Sequence, residues 1–270
     1  MSSPPESKSE SSSPPGEYDE AMVAGLELIW GEGFLSPGGP AEVAEILVGS
    51  SIAGAHVLDI GCGIGGIDLL LAESYGAASV LGIDVETTNI ELAAERARWR
   101  GLADRVAYRI VTPGPLPLES ASFDVVFSKD AMIHIADKEA LFAEVARVLR
   151  PGGLFVASDW LRADDDPPSA AMQRYVELEG LSFAMASPAR YHRAMAAAGL
   201  RDIEIRDRNA WYAATARREL AQLRGPLRPR LVEAVGEAET DRATGIWEAM
   251  LPVLDSGELR PTHLKGRKAG

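Results

Sequence analysis

Between residues 40 and 160 the sequence alternates short apolar runs with segments of helical periodicity. Each run is rich in Val, Ile and Leu and is too short for a helix, which favours a buried strand. The intervening segments space apolar residues as amphipathic helices do, over about 10 to 13 residues. Strands joined by helical crossovers form a parallel sheet with helices on both faces, so we predict a doubly wound α/β fold. The predicted strands of this region are HVLDIG (56–61), SVLGIDV (79–85), RVAYRIV (105–111), FDVVFSKD (123–130) and GLFVASDW (153–160).

The pattern changes after residue 160. Helical spacing covers 171–183, 187–200 and most of 213–254, and two further strands are predicted at 201–207 and in the tail from 258 onward. The sheet is therefore expected to be mostly parallel and seven-stranded. Since the sequence shows no internal repeat and no second core, we expect residues 161–255 to cover the edge of the sheet where ligands bind.

The N-terminal forty residues contain two different segments. Residues 1–16 are dominated by Ser and Pro and offer little to bury, so we predict a disordered leader. Residues 17–40 combine a helical pattern, with Met22, Leu26 and Ile29 on one face, and a loop containing Gly and Pro. We predict that this segment is a lid and that residues 17–270 form a single domain.

The amino-acid composition of the chain restricts the kinds of molecule that it is expected to bind. The chain has 27 Lys and Arg against 40 Asp and Glu, a net charge of -13 that repels nucleic acid and anionic membrane surfaces. No apolar run reaches the roughly 18 residues that a membrane span needs. The single cysteine, Cys62, excludes an intramolecular disulfide and a multi-cysteine metal site. We therefore expect a cytoplasmic protein that acts on a small molecule, without a metal, as a monomer or weak homodimer.

A glycine-rich loop follows the first predicted strand. Gly61, Gly63 and Gly66 match G-x-G-x-x-G between a strand and a helix, which is typical of an adenosine-bearing cofactor site. The pattern alone does not separate a dinucleotide from another such cofactor. Asp59 favours the second, because a carboxylate is unfavourable beside a pyrophosphate and favourable beside a cation. The structural alternative is that the glycines form only a tight turn and that Asp84 caps the next helix.

The run VLDIGCGIGG resembles the first motif of class I S-adenosylmethionine-dependent methyltransferases, whose cofactor has an ammonium and a sulfonium and no phosphate. The resemblance implies that Asp59 orders the loop around the methionyl amino group, while Gly61 and Gly63 admit the adenosine. It also implies that Asp84, after the second strand, accepts hydrogen bonds from both ribose hydroxyls. Many members place an Asp after the third strand for the adenine amino group; here Thr112 stands, so a hydroxyl or backbone groups are expected instead. The remaining predicted cofactor contacts are Leu35, Ser36, Cys62, Val85 and Ser128.

The fourth predicted strand runs into Asp130 and His134, which are four residues apart. If this turn is helical, both side chains lie on one face beyond the carboxyl end of the strand, where substrates bind in open sheets. The alternative is a buried packing histidine with Asp130 as its hydrogen-bond partner.

A closer resemblance covers the chain from Tyr18 to the C-terminus. Tyr18-Asp19 and the blocks LELIWGEGFLSPGG, VLDIGCGIGG, FSKDAMIHI and ASDW follow the order and spacing of phosphoethanolamine N-methyltransferases. The resemblance implies that Tyr18 and His134 close over the substrate and that Asp130 faces the amine. An alkylamine is mostly protonated at neutral pH, so a base must accept its proton. An imidazole, which ordinarily titrates near pH ~6.5, suits this role, directly or through the Tyr18 hydroxyl.

The chain departs from that family where the family grips the substrate phosphate with Tyr, Arg and Lys. The aligned positions hold Trp160, Glu179, Leu181 and Met250. Phosphate recognition normally requires cationic donors, so a phosphate would be repelled unless an arginine elsewhere substitutes. The candidates for such a substitution are Arg174, Arg190 and Arg193.

The predicted acceptor pocket is acidic and aromatic, and methylated ammonium groups bind aromatic faces. We therefore predict N-methylation of a small amine, either phosphoethanolamine-like or, in preference, a non-phosphorylated amine or amino acid. The alternatives are O- or C-methylation of a small secondary metabolite, a non-catalytic cofactor-binding module and an NAD-dependent dehydrogenase. The predicted substrate contacts are Asp130, Trp160, Glu179, Trp211, Tyr212 and Trp247.

Overall fold

The strands predicted from the alternating pattern form, and together with the two later strands they join into one sheet. A computed structural model describes residues 20–270, so the predicted leader and Tyr18 lie outside the described residues. The strands are β1 (His56–Ile60), β2 (Ser79–Asp84), β3 (Val106–Ile110), β4 (Phe123–Lys129), β5 (Leu149–Arg162), β6 (Leu200–Asp207) and β7 (Leu259–Lys268). The helices are α1 (Glu20–Trp30), α2 (Gly39–Ile46), α3 (Gly66–Glu73), α4 (Thr87–Trp99), α5 (Lys138–Val148), α6 (Ala170–Glu179), α7 (Pro188–Ala197), α8 (Asn209–Arg224), α9 (Arg228–Val235) and α10 (Glu237–Asp255).

The order of the strands places a cleft at the middle of the sheet. The order is β3-β2-β1-β4-β5-β7-β6, and β7 is antiparallel to both of its neighbours while β1 to β5 pair in parallel. The chain runs outward from β1 to β3 and then returns to β4 on the other side of β1. Ligands in open α/β sheets bind at such a reversal, beyond the carboxyl ends of the strands. The glycine loop follows β1 and Asp130 follows β4, so both lie at this point.

The turn between Asp130 and α5 is less helical than the sequence predicted. A single 3-10 turn covers Met132–His134, and α5 begins only at Lys138. Asp137 caps α5, because its side chain accepts a hydrogen bond from the backbone N–H of Ala140 at 2.8 Å. The segment bearing His134 is therefore fixed by neighbouring structure rather than by a continuous helix.

The apolar core has three parts. Side chains alternate along a strand, so Leu58 packs with α5 and α7 on one face of the sheet while Val57 packs with α2 and α3 on the other. A third cluster lies among α6, α8 and α10, with Tyr212 and Trp247 inside it. The predicted division into a leader and a single domain stays a prediction. None of the helices within residues 20–270 is long and apolar enough to cross a membrane.

A buried ionic network connects α2 to β7 and to the residue that follows β6. The Glu42 carboxylate is 3% exposed and binds His263 Nε2 at 2.6 Å and Arg208 Nη2 at 2.6 Å. Burial alone raises the pKa of Glu42, but the hydrogen bonds and charges of His263 and Arg208 outweigh burial and hold the pKa below its usual value. The Arg208 guanidinium also lies 4.7 Å from the centre of the Trp211 ring.

We expect the Glu42→Gln variant to lose about 3 kcal/mol of unfolding free energy, because the buried Arg208 charge loses its nearer counter-ion and keeps only Glu45, at 3.7 Å. A lowered folded-state pKa contributes stability above the unfolded value of 4.5, and this contribution is lost as pH falls through the folded value. Urea denaturation at pH 7 and below pH 4.5 measures both effects. Glu91→Gln, at an exposed position of α4, serves as control. Equal acid sensitivity of wild type and Glu42→Gln would contradict the assignment.

Candidate active site

The glycine loop adopts backbone angles that favour glycine. Gly61, Gly63 and Gly65 have φ of +75°, +52° and +82°. A Cβ on Gly61 would lie 2.1 Å from the Ala131 Cβ, so the loop approaches the turn after β4 too closely for any side chain. The third glycine of the motif, Gly66, has a different role: its Cβ would lie 2.2 Å from the Gly33 carbonyl oxygen, in the loop after α1.

Asp84, at the end of β2, holds the glycine loop in place. Its Oδ2 accepts the Gly63 N–H at 2.8 Å and its Oδ1 accepts the Glu86 N–H at 2.9 Å. Burial raises the pKa of Asp84, while these backbone hydrogen bonds oppose the rise. Each carboxylate oxygen accepts more than one hydrogen bond, so the group retains capacity for two ribose hydroxyls.

A pair of buried carboxyl groups lies at the base of the loop. Asp59 and Asp68 are 1% and 0% exposed. Burial raises the pKa of Asp59 to about 7, and the hydrogen bond with Asp68 opposes the rise. Burial and the charge of Asp59 together raise the pKa of Asp68 well above its usual range. Asp68 is the partner that holds its proton more strongly. Oδ1 of Asp59 is buried without a hydrogen-bond partner among the described residues, so it can accept a bond from an ammonium group. The loop therefore fits an adenosine cofactor with a cationic methionyl end.

The other predicted cofactor contacts divide into three sets. Leu35 and Ser36 line the cleft beside Asp130. Ser128 is buried between β1 and β4 and donates to the Ile60 carbonyl at 2.7 Å, while Cys62 is buried within the loop. Thr112 and Val85 are exposed beyond the ends of β3 and β2. Their contact with a cofactor stays a prediction.

A cleft with an empty volume of about 620 Å³, its mouth included, opens over the carboxyl ends of β4 and β5. It is closed by α1 on one side and by α6, α8 and α10 on the other. Met22, Leu26 and Trp30 face it from α1 at spacings of four residues, as one helix face requires. The predicted residues that line it are Leu35, Ser36, Asp130, His134, Trp160, Glu179, Tyr212 and Trp247, and the additional ones are Met22, Leu26, Trp30, Pro37, Ile133, Tyr175, Leu181, Phe183 and Met250.

Asp130 is held by an unexpected partner. Its Oδ2 lies 2.5 Å from Lys129 Nζ, and its Oδ1 accepts the Ser158 hydroxyl at 2.8 Å. Lys129 Nζ also donates to Ser36 Oγ at 2.7 Å, which connects the pair to the loop after α1. Asp130 has φ of +58°, an uncommon angle for a residue other than Gly. This turn lets consecutive side chains at the end of β4 meet, and the ion pair neutralises the carboxylate that faces the cleft.

We expect Lys129→Met to destabilise the protein by about 3 kcal/mol, because it leaves the Asp130 carboxylate, only 6% exposed, without its cation. The double variant Lys129→Met/Asp130→Asn should recover most of the loss, since it removes both charges. Urea denaturation of wild type, Lys129→Met, Asp130→Asn and the double variant measures the free energies that this double-mutant cycle needs. Additive losses in the double variant would show that the two side chains do not stabilise each other.

His134 lines the cleft with a defined tautomer. Its Nδ1 lies 2.9 Å from the Ser182 carbonyl oxygen. A carbonyl only accepts, so Nδ1 carries the proton and Nε2 of the neutral ring keeps a lone pair. The Phe183 ring lies 5.6 Å from the imidazole, centre to centre. Ser182 and Phe183, which follow α6, thus orient the imidazole ring, and its Nε2 can accept a proton.

A buried network that the sequence did not indicate fixes the turn beneath His134. Lys138 is 0% exposed and donates to the Met132 and Ile135 carbonyls at 2.6 Å each. Asp159 accepts the Ile133 N–H at 3.0 Å and the Tyr191 hydroxyl. Burial lowers the pKa of Lys138 to about 8 and raises the pKa of Asp159 to about 7, and the attraction between the two charges opposes both shifts. These groups position the backbone of the turn and lie outside the cleft lining.

Trp30, Trp160, Tyr212 and Trp247 form an aromatic wall of the cleft. Glu219, on α8, holds three of these side chains in place. Its carboxylate accepts from Trp30 Nε1 at 2.9 Å, from Trp247 Nε1 at 3.0 Å and from the Tyr212 hydroxyl at 3.3 Å. Trp160 packs edge-on against Tyr212, with ring centres 4.7 Å apart. Burial raises the pKa of Glu219, while the hydrogen bonds from these aromatic groups oppose the rise. Trp30, Trp247 and Tyr212 therefore offer aromatic carbon surface to the cleft, since their polar hydrogens are already bound to Glu219.

Not every predicted residue reaches the cleft. Trp211 packs on Arg208 instead and is absent from the lining formed by residues 20–270. The arginines considered as replacements for the missing phosphate-binding residues also have other partners. Arg190 binds Glu139 at 3.0 Å, and Arg193 lies 3.9 Å from Asp165. Arg174 is exposed on α6. Within the described residues, neither Lys nor Arg lines the cleft.

Comparison with known proteins agrees with this geometry. Residues 58–157 match the family described as "Methyltransferase domain". Phosphoethanolamine N-methyltransferase 1 of Arabidopsis thaliana is 30% identical over 90% of this chain and 48% of its own length. The solved structure of Haemonchus contortus phosphoethanolamine N-methyltransferase 2, in complex with phosphomonomethylethanolamine and S-adenosylhomocysteine, superposes with a TM-score of 0.86 at 25% identity, over 94% of this chain and 59% of that chain. The O-methyltransferase cnsE of Penicillium expansum is 30% identical over 60% of this chain and 63% of its own length.

Residues 58–157 match a methyltransferase domain, and the sheet order together with the glycine loop bound by Asp84 gives the chain the fold of class I S-adenosylmethionine-dependent methyltransferases. Among its relatives, phosphoethanolamine N-methyltransferases resemble it along most of its sequence. The chain spans about half the length of these curated relatives.

Proposed function

We propose that this protein transfers a methyl group from S-adenosylmethionine to the nitrogen of a small, non-phosphorylated amine. One observation carries the proposal: His134 and Asp130 share a cleft whose described lining contains carboxylates and aromatic rings but neither Lys nor Arg. A base beside a carboxylate suits an amine acceptor. An anionic acceptor would compete with Asp130 for Lys129, the buried cation beside the cleft, because Lys129 is already paired.

The residues that would hold the cofactor lie at the carboxyl ends of β1 and β2. Asp59 would accept the methionyl ammonium, the glycine loop would admit the adenosine, and Asp84 would bind the ribose. When bound, the cofactor supplies an electrophilic methyl group on a sulfonium.

The side chains of the cleft would prepare the acceptor. An amine must lose its proton before its lone pair can attack, and His134 Nε2 would accept that proton. Asp130 would accept a hydrogen bond from the amine nitrogen and so orient it. Because Lys129 neutralises Asp130, the reacting end can hold the uncharged amine without strongly stabilising its protonated form. Apolar residues of α1 would exclude water from the reaction.

Tyr18 is proposed to assist His134 on the strength of the resemblance alone, since it lies outside the described residues. The cytoplasmic location and the monomeric or weakly dimeric state expected from composition also stay predictions.

The test is methyl transfer from labelled S-adenosylmethionine to a panel of amines, phenols and carbon acids, with phosphoethanolamine included. We expect label on amine nitrogen and a kcat/KM for phosphoethanolamine at least about tenfold below that of the best unphosphorylated amine. Label found only on oxygen or carbon would refute the nitrogen assignment. A preference for phosphoethanolamine would refute the exclusion of phosphate.

The similarity to an O-methyltransferase favours hydroxyl methylation as a second candidate. His134 Nε2 could take a hydroxyl proton equally well, whereas a hydroxyl gains less from Asp130. Asp130→Asn distinguishes the two: a rise in KM for the acceptor supports the amine, and an unchanged KM supports the hydroxyl.

A further inference from the structure

The two carboxylates of the cleft differ in how they are satisfied. Asp130 is paired with Lys129 at 2.5 Å. Glu179, the last residue of α6, also lines the cleft, and its described partners are the Tyr175 hydroxyl and the charge of Arg242. Arg242 is itself bound to Glu239 at 2.8 Å and is more than a third exposed. Glu179 is therefore the carboxylate with the greater unmet demand for a cation.

The fold aims Glu179 into the cleft. Ser169 begins α6 by accepting the Met172 N–H at 3.1 Å, and Gly180 ends it with φ of +70°. Tyr175 and Glu179 are four residues apart on α6, so they share the face that lines the cleft. Burial raises the pKa of Glu179, against the hydrogen bond from Tyr175 and the charge of Arg242. A carboxylate that is costly to ionise when alone gains most from a cationic ligand.

The surroundings of Glu179 suit a cation and not an anion. The polar hydrogens of Trp30, Trp247 and Tyr212 are all directed to Glu219, which leaves aromatic rings as the neighbouring wall. Aromatic faces and a carboxylate together are a typical environment for an ammonium group.

We propose that Glu179 binds a second, non-reacting cationic group of the acceptor, so that the acceptor is a diamine rather than a monoamine or an amino acid. This inference rests on the proposed function. The reacting nitrogen, freed of its proton by His134, forms a bond to the methyl carbon as the carbon–sulfur bond breaks, and that electron pair remains on sulfur as a thioether. The distal ammonium keeps its proton and its charge throughout.

The first test uses the wild-type chain and matched acceptors with labelled S-adenosylmethionine. Straight-chain α,ω-diamines of two to five carbons are compared with n-alkylamines of the same length and with the corresponding ω-amino acids. We expect the best diamine to exceed its monoamine in kcat/KM by at least about tenfold, and the amino acid to be poorer than the monoamine.

The second test uses Glu179→Gln, with Glu177→Gln, exposed on the same helix, as the matched control. Glu179→Gln should raise KM for the best diamine about tenfold or more and change the monoamine less than about threefold. Glu177→Gln should change neither. The charge reversal Glu179→Lys should abolish the preference for diamines and improve phosphoethanolamine.

The outcomes separate this inference from the proposed function. If monoamines and diamines are methylated equally and Glu179→Gln alters neither, the inference is overturned while N-methylation stands. If no amine is methylated by wild type, the proposed function itself fails. The wild-type comparison needs no variant, so it decides the matter even if Glu179→Gln folds poorly.

Discussion

His134→Ala is expected to lower kcat for methyl transfer by about 10²- to 10⁴-fold, the usual contribution of a positioned acid or base. The reason is that Nε2 is left unprotonated by the bond from Nδ1 to the Ser182 carbonyl, and the described cleft lining holds no second imidazole to replace it. Binding of S-adenosylhomocysteine, measured by calorimetry, should change little. His192→Ala, at an exposed position of α7, is the control and should retain full activity.

The pH dependence adds a readout that a structural role would not produce. Without the base, the variant depends on amine that is already deprotonated in solution. Its rate should therefore rise about tenfold per pH unit up to the pKa of the amine, near ~10. Wild type should rise less steeply over the same range. If His134→Ala keeps wild-type kcat at pH 7, His134 is not the base.

Gly61→Ala is expected to abolish measurable cofactor binding. The added Cβ would lie 2.1 Å from the Ala131 Cβ, so the glycine loop and the turn before His134 must separate. The angle of +75° adds about 1 kcal/mol or more of strain for a residue with a side chain. Each 1.4 kcal/mol of lost binding energy is tenfold in Kd, and we expect a loss of at least about 100-fold.

Gly54→Ala distinguishes the effect of backbone strain at positive φ from the effect of a steric clash with Ala131. Gly54 has φ of +73°, almost the same angle, but a Cβ there would meet no atom within 4 Å. This control should lose about 1 kcal/mol of stability and keep its affinity for S-adenosylhomocysteine. Similar affinities for the two variants would show that the approach of Ala131 does not shape the cofactor loop.

The sheet and the cofactor loop were predictable because their signals are local. Strand alternation, the glycine motif and Asp84 at a strand end each reflect constraints within a few residues, and all appear at the expected places. The pairing of Lys129 with Asp130 was not predictable, since neighbours on a strand face opposite sides unless the backbone turns. The left-handed angle of Asp130 makes that turn, and no sequence pattern marks it.

The aromatic wall shows a different limit of sequence reasoning. Glu219 joins Trp30 and Trp247, which are 189 and 28 residues away in the chain, so their meeting depends on tertiary packing. Trp211 and Tyr212 are adjacent on α8 and were both expected in the pocket. Consecutive helical residues point about 100° apart, so only one of them can face the cleft, and Tyr212 does.

The contact of Gly33 with Gly66 bears on how acceptor choice could be redesigned. The backbone of Gly33 lies directly against the backbone of Gly66, and Ser36 of the same loop accepts a hydrogen bond from Lys129. An engineer who alters this loop to admit a new acceptor will therefore disturb the glycine loop as well. The C-terminal end of α6 lies across the cleft and has open space after Gly180. Selection for new acceptors should begin there, where an added side chain meets no neighbouring atom.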